Sequence, residues 1–175
     1  ALAEKRDAVL YAALVAGASS EAYADGVTDG AITAANVMNT DLIADAKTTM
    51  RVNKRMASTL VIHPNQEKPL LKDAQFVDAS IYGGRETVLN GEIGRYLGLR
   101  IISSTTIGSV TENTSFTVYE GLLLGPRTAV FASKMAPTMQ FKEDSVLDRA
   151  ITFSADEAYG VSVLNSESII VIKSV

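Results

Sequence analysis

A single histidine, His63, stands between the apolar run Leu60-Val61-Ile62 and Pro64. As a catalytic base it would need a Ser-His-Asp arrangement, and as a metal ligand it would need further histidines, cysteines or carboxylates. The chain has no second histidine and no cysteine, which excludes a histidine cluster, thiolate chemistry and a disulfide framework. A structural histidine at a strand end is the better reading. Gly91-x-x-Gly94-x-x-x-Gly98 has the superficial spacing of a nucleotide-binding loop. Such loops follow a strand and open a helix whose N-terminus faces phosphate. Here Leu99-Arg100-Ile101-Ile102 follows, and that run favours a strand. Gly91, Gly94 and Gly98 therefore read as turn and close-packing glycines, with a small nucleotide-dependent enzyme kept as a rival. No G-x-S-x-G elbow and no Walker A sequence occurs. Glu86, Glu92, Asp144 and Asp148 are scattered, with no pair placed to converge on a sugar. Asp25-Gly26 and Asp29-Gly30 lack the alternating oxygen ligands and final glutamate of a calcium loop, so they read as turns. No catalytic, cofactor-binding or metal-binding residue is assigned, and no cofactor is expected.

The elements around these residues follow from periodicity. Residues 2 to 18 read as a helix rich in alanine and leucine, with Leu2, Val9, Ala13 and Ala16 as one stripe and Leu10 and Leu14 beside it. A second helix runs from an Asn39 cap to about Arg51, with Met38 and Ile43 at staple spacing. Met38, Leu42, Ala46 and Met50 recur every four residues and should face the core. Arg51, Lys54 and Arg55 then lie at the helix C-terminus, where cations offset the dipole, and this reading is preferred to a phosphate site. Leu60-Val61-Ile62 is a buried strand stopped by Pro64, which has no N–H for a ladder. A short helical turn is expected from about Pro69 to Ala74, with Pro69 at its first position.

Beyond the glycines, Thr105 to Ser115 reads as an exposed polar loop and Phe116 to Tyr119 as a short strand. Leu122 to Leu124, between Gly121 and Gly125-Pro126, reads as a buried bend or strand. Arg127 to Lys134 reads as a short helix, and strand structure restarts at Thr138. Ile151, Phe153 and Ala155 alternate with polar residues, the period of a half-buried strand. Val161 to Leu164 and Ile169 to Ile172 flank Asn165-Ser166-Glu167-Ser168 as a hairpin. Helices early and strands late, without strict alternation, give an α+β class.

The 175 residues can bury a sizeable core, and 47% hydrophobic with 21% charged residues is globular. A formal charge of −4 argues against a dedicated grip on nucleic acid, which needs clustered cations. No apolar run approaches the roughly 20 residues that span a bilayer as a helix. The first residues are not a convincing signal peptide, because Glu4, Lys5, Arg6 and Asp7 give no clean basic lead.

Taken together, Val61-Ile62-His63-Pro64, the short helix after it, and Gly91-Glu92-Ile93-Gly94-Arg95-Tyr96-Leu97-Gly98-Leu99-Arg100-Ile101 resemble the major capsid proteins of tailed phages. Ala158-Tyr159-Gly160-Val161-Ser162-Val163 followed by an apolar last strand is similar to the family's closing phrase. The resemblance implies an axial domain at about residues 25 to 125. It implies a peripheral domain from residues 1–24 and 126–175, made of the spine helix and the closing strands. It also implies a non-enzymatic shell subunit in the virion, self-assembling into pentamers and hexamers around a DNA genome. Further virion proteins are candidate partners, and neither sequence-specific nucleic-acid binding nor a membrane is implied. The family's N-terminal arm and extended loop have no counterpart before Ala1. The chain therefore reads as a core fragment, mainly monomeric alone, and functions of the arm and loop, cross-linking included, are not assigned. An encapsulin-type compartment shell is the nearest alternative. Pro64, Gly91, Gly94 and Gly98 are assigned structural roles.

Replacing Gly91, Gly94 or Gly98 with alanine will cost about 1 kcal/mol or more wherever φ is positive, measured by denaturant titration. Unchanged stability together with loss of a nucleotide-binding signal would favour the nucleotide reading instead.

Overall fold

The fold is given by a computed structural model that describes residues 2–27, 31–73, 76, 92–112, 116–144 and 150–175. Helix α1 (Leu2–Ala16) leads into strand β1 (Ser20–Tyr23) and a single helical turn at Ala24–Gly26. Helix α2 (Thr40–Val52), strand β2 (Thr59–Ile62) and helix α3 (Pro64–Lys72) follow. Strands β3 (Glu92–Tyr96), β4 (Leu99–Ser103), β5 (Ser109–Glu112) and β6 (Phe116–Leu124) come next. The chain ends in β7 (Ala129–Asp144), β8 (Ala150–Val163) and β9 (Ile169–Ser174).

One mixed sheet has the order β1-β9-β6-β2-β4-β3, with β5 also paired to β6. The β1–β9 and β2–β4 pairs are parallel, and the others are antiparallel. Helices lie against both faces, which is why the central strands read as unbroken apolar runs rather than alternating ones. Met38, Leu42, Ile43, Ala46 and Met50 of the α2 region meet Leu60, Ile62, Leu99, Ile101, Leu123, Ile170 and Ile172 on one face. Leu14 of α1 meets Leu122, Ile169 and Val171 on the other, with Val61 and Leu124 beside them. Alternate residues of β9 thus point to opposite helices, and all six are buried.

Helix α2 forms as its sequence predicts. The Asn39 side chain accepts a hydrogen bond from Leu42 N at 2.8 Å, and Met38, Leu42, Ala46 and Met50 are buried. The Asp73 carboxylate accepts from Thr40 N at 3.0 Å and from Thr40 Oγ1 at 2.7 Å, a negative group at the positive helix end. Helix α1 is also where it was expected, but it packs through buried Leu14 with the partly buried Leu10, Tyr11 and Val15 beside it. Val9 stays 47% exposed, because the sheet offers its apolar surface to the Leu10–Leu14 side.

Several sequence expectations are corrected. Helix α3 starts at Pro64, five residues before Pro69, which lies inside the helix. A capping box made by His63 and Gln66 starts the helix there. Part of the expected loop at 105 to 115 is strand β5, whose Val110 pairs with Val118, and Ile107 is buried. Phe116 to Leu124 is one strand that runs through Gly121. No helix follows Pro126: Arg127 turns the chain at φ 56, and Ala129 enters β7. A strand partner, β8, outcompetes the weak helical propensity of 127 to 134. Pro137 fits inside β7 because it lies at a register irregularity between Met135 and Thr138. The residues around Phe153 do form a strand, but Phe153 and Ala155 are exposed rather than half-buried.

The stretch after Val161 is not a hairpin. Strand β8 ends at Val163 and pairs with β7, whereas β9 inserts between β1 and β6. The β7–β8 ribbon is a separate two-stranded unit. It is tied to α1 by an Arg6–Glu157 ion pair at 3.7 Å and by Val163 pressed against Gly17.

Ile170→Ala will lower stability by about 2–5 kcal/mol in urea unfolding, because it opens a cavity between β9 and α2. Phe153→Ala, which removes only an exposed cross-strand ring pair with Phe141, will cost no more than about 1 kcal/mol.

Candidate functional site

The junction of β2 and α3 is built on His63. Its Nδ1 accepts from Asn65 N at 3.1 Å, and its backbone N donates to Gln66 Oε1 at 3.1 Å. Gln66 is fully buried, and its Nε2 donates to Tyr119 O at 3.0 Å and Ser174 Oγ at 2.8 Å. One glutamine thereby fastens α3 to β6 and β9. The His63 ring stacks on Tyr119 at 4.2 Å, and Asn65 Nδ2 donates to the Tyr119 hydroxyl. Gly121 leaves room for this contact: a Cβ there would meet Gln66 Oε1 and Val61 O at 3.2 Å each. Burial holds the His63 pKa below its ordinary value of 6.5. With Nδ1 occupied as an acceptor, this imidazole works as a helix cap.

Pro64 takes the first helical position of α3, where a missing N–H costs nothing. Gly98 forms the β3–β4 hairpin turn with Leu97, at φ +77 and +50, the two positive values of a type I′ turn. The Lys47 ammonium donates to the Leu97 carbonyl across this turn. Gly94 lies in β3 at a register irregularity, and Gly91 falls outside the described residues. Strand β4, not a helix, follows Gly98, so no helix N-terminus is available to take phosphate there. Glu92 opens β3 and Asp144 closes β7, in separate sheets, while Glu86 and Asp148 lie outside the described residues. Among the described residues no group of His, Cys, Asp and Glu is placed to hold a metal. Arg55 at the end of α2 bonds Glu167 at 3.1 Å, beside the Asn53-Lys54 turn.

Sequence reasoning missed a polar cluster on β9. Lys173 is 8% exposed, with Nζ 3.1 Å from Glu21 Oε2 and 3.9 Å from Glu120 Oε1. Tyr11 donates to the backbone oxygen of Glu120 at 3.1 Å, and burial, reinforced by the Glu120 carboxylate, pushes its pKa up to about 12. These residues come from α1, β1, β6 and β9, so their charges close the sheet where its apolar core ends. Nothing in the spacing of Tyr11, Glu21, Glu120 and Lys173 along the chain signals the cluster.

The His63 cap gives a signed pH prediction. Its folded pKa lies below the unfolded one, so the unfolded chain takes up the proton first as pH falls. The stability contribution is full above pH 6.5 and declines below it toward the folded pKa. His63→Asn keeps a cap without a titrating ring. Thermal melts between about pH 7 and 5.5 will show a smaller pH dependence for this variant than for the parent.

Solved phage structures share this fold. A structure from Mycobacterium phage Che8 aligns with TM-score 0.70 and 20% identity, over 98% of this chain and 58% of the other. The acid-stable capsid structure of Helicobacter pylori bacteriophage KHP30 gives 0.68 and 15%, over 98% and 65%. The capsid of cyanophage P-SCSP1u gives 0.63 and 17%, over 99% and 62%. The chain thus spans about three-fifths of the length of these proteins, and at such identities the likeness establishes the fold. Among curated proteins none matches the sequence. A family model described as phage capsid protein covers residues 1–172, and the chain belongs to that phage capsid protein family.

Proposed function

We propose that this chain is the core of a major capsid subunit that assembles with its own copies into an icosahedral shell around a DNA genome. The observation that carries the reading is the family match over residues 1–172, joined to a mixed sheet packed between helices and a projecting two-stranded ribbon. The work such a subunit does is assembly: copies close into pentamers and hexamers through heterologous contacts related by rotation. In this reading the sheet and α2 and α3, from about residues 25 to 125, face the capsomer axis. Helix α1 and the ribbon belong to the periphery, and β9 joins the two by entering the axial sheet. The sequence charge of −4 suits confinement of DNA without reading its bases. In this reading His63 serves as a cap and Gly98 serves a turn.

A stable interface buries at least about 1,000 Å² in total, and association carries an entropic cost that area must exceed. The 175-residue chain alone will therefore sediment mainly as a monomer at micromolar concentration. Electron microscopy of the full-length subunit expressed in cells tests the reading itself. Closed shells containing nucleic acid are expected. Shells filled with a cargo protein would instead favour an encapsulin-type compartment, and the absence of any particle would refute the shell reading.

A further inference from the structure

The far half of the β7–β8 ribbon has two unlike faces. Opposite residues of an antiparallel ladder share a face, and successive residues alternate. Met139 pairs with Ala155 and Phe141 with Phe153 on one face; Thr138 pairs with Asp156 and Gln140 with Ser154 on the other. The first face is apolar and open to solvent, with Met139 73%, Phe141 67% and Phe153 70% exposed. Its two phenyl rings already meet edge to face at 5.1 Å, a preformed and rigid knob. Such alternation marks a sheet with one covered face, yet among the described residues nothing covers this one. The knob begins four residues beyond Glu157, roughly 13 Å past the ion pair with α1 at strand rise.

A concave counterpart lies elsewhere on the same chain. Beside α1 there is a mainly apolar groove of about 210 Å³, walled by Leu10, Tyr11 and Leu122 among others, with Asp7, Ser104 and Thr106 as its polar lining. We infer that the Met139–Phe141–Phe153 face of one copy seats in the α1 groove of the next copy, a head-to-tail contact. This rests on the shell reading. A closed ring requires two different, complementary patches on each subunit, and the knob and groove are two such patches, unlike in shape and alike in polarity.

Size also selects a second copy over a separate protein. Two phenyl rings and a methionine present on the order of 300–400 Å² of apolar surface, enough to mark an interaction site. Counting both sides, the contact buries on the order of 600–800 Å², short of the roughly 1,000 Å² of an independent stable interface. It holds only where other contacts keep the partners together, as they do when one geometry repeats around a ring.

These 175 residues hold no cysteine, so thiols introduced among them report single contacts once any cysteine elsewhere in the full-length subunit is replaced. Particles assembled from the full-length subunit carrying Phe141→Cys and Thr106→Cys will, on mild oxidation, lose the monomer band on denaturing gels. A ladder of covalent oligomers larger than dimers will replace it, and reductant will reverse it. Each single variant will remain monomeric on the same gels. Covalent dimers from Phe141→Cys alone would mean that ribbon faces pair with one another, which overturns the head-to-tail contact. Intact particles in which the double variant forms no ladder overturn it too, and leave the shell reading standing. Failure of the unsubstituted full-length subunit to form particles refutes the shell reading itself. Should the first double variant not assemble, Met139→Cys with Ser104→Cys probes the same contact and is read in the same way.

Discussion

The fold depends on the burial of one strand. Every residue of β9 is buried, between β1 on one edge and β6 on the other, with α2 against one face and α1 against the other. A strand covered on all sides must satisfy its backbone through the ladder and its side chains through both layers. Ile170 and Ile172 fill the α2 side, and Ile169 and Val171 fill the α1 side. Because β9 comes from the end of the chain and β1 from its beginning, the sheet cannot close until almost the whole chain is present. The slow step of folding is therefore expected to be this long-range pairing rather than helix formation.

Among the described residues, no buried polar side chain is left without a partner. Gln66 is buried with both ends of its amide engaged, holding α3 to β6 and β9. Lys173 is buried between Glu21 and Glu120. An unpaired Lys173 ammonium would cost several kcal/mol, and an unsatisfied Gln66 amide about 1–3 kcal/mol. The β7–β8 ribbon lies outside this sheet. The ribbon has two strands, both short of further partners in the sheet, and such a unit is marginal in water alone. Its anchorage to α1 through Arg6–Glu157 and Val163 gives it a fixed base, and its exposed aromatic face gives it something to dock.

Local physics made much of the fold legible. The Asn39 cap and the four-residue recurrence of Met38, Leu42, Ala46 and Met50 define α2, because helix signals lie within a few residues of one another. Leu60-Val61-Ile62 before His63-Pro64 gave β2, and Gly98 gave the turn between β3 and β4. Where neighbours distant in sequence decide the outcome, the reading failed. The helix expected at 127 to 134 became strand because β8 lies alongside it. Gly121, read as the edge of a bend, sits inside β6 because Gln66 needs the space a side chain would fill. The helix expected at Pro69 starts at Pro64 because His63 and Gln66 cap each other, a box written with a histidine where serine or threonine is usual.

The sequence by itself determined the α+β class, the family resemblance, the helix faces of α2 and the exclusion of cysteine and multi-histidine chemistry. Each of these depends on residue types or on spacings shorter than one element. Only the tertiary structure decided that β9 leaves β8 to enter the main sheet, and that Tyr11, Glu21, Glu120 and Lys173 meet. It also decided that one face of the ribbon stays bare. The physical reason is the same in each case. Strand pairing is a contest between distant segments for ladder partners and buried area, and a strand's own residues state what it can bury without stating beside whom.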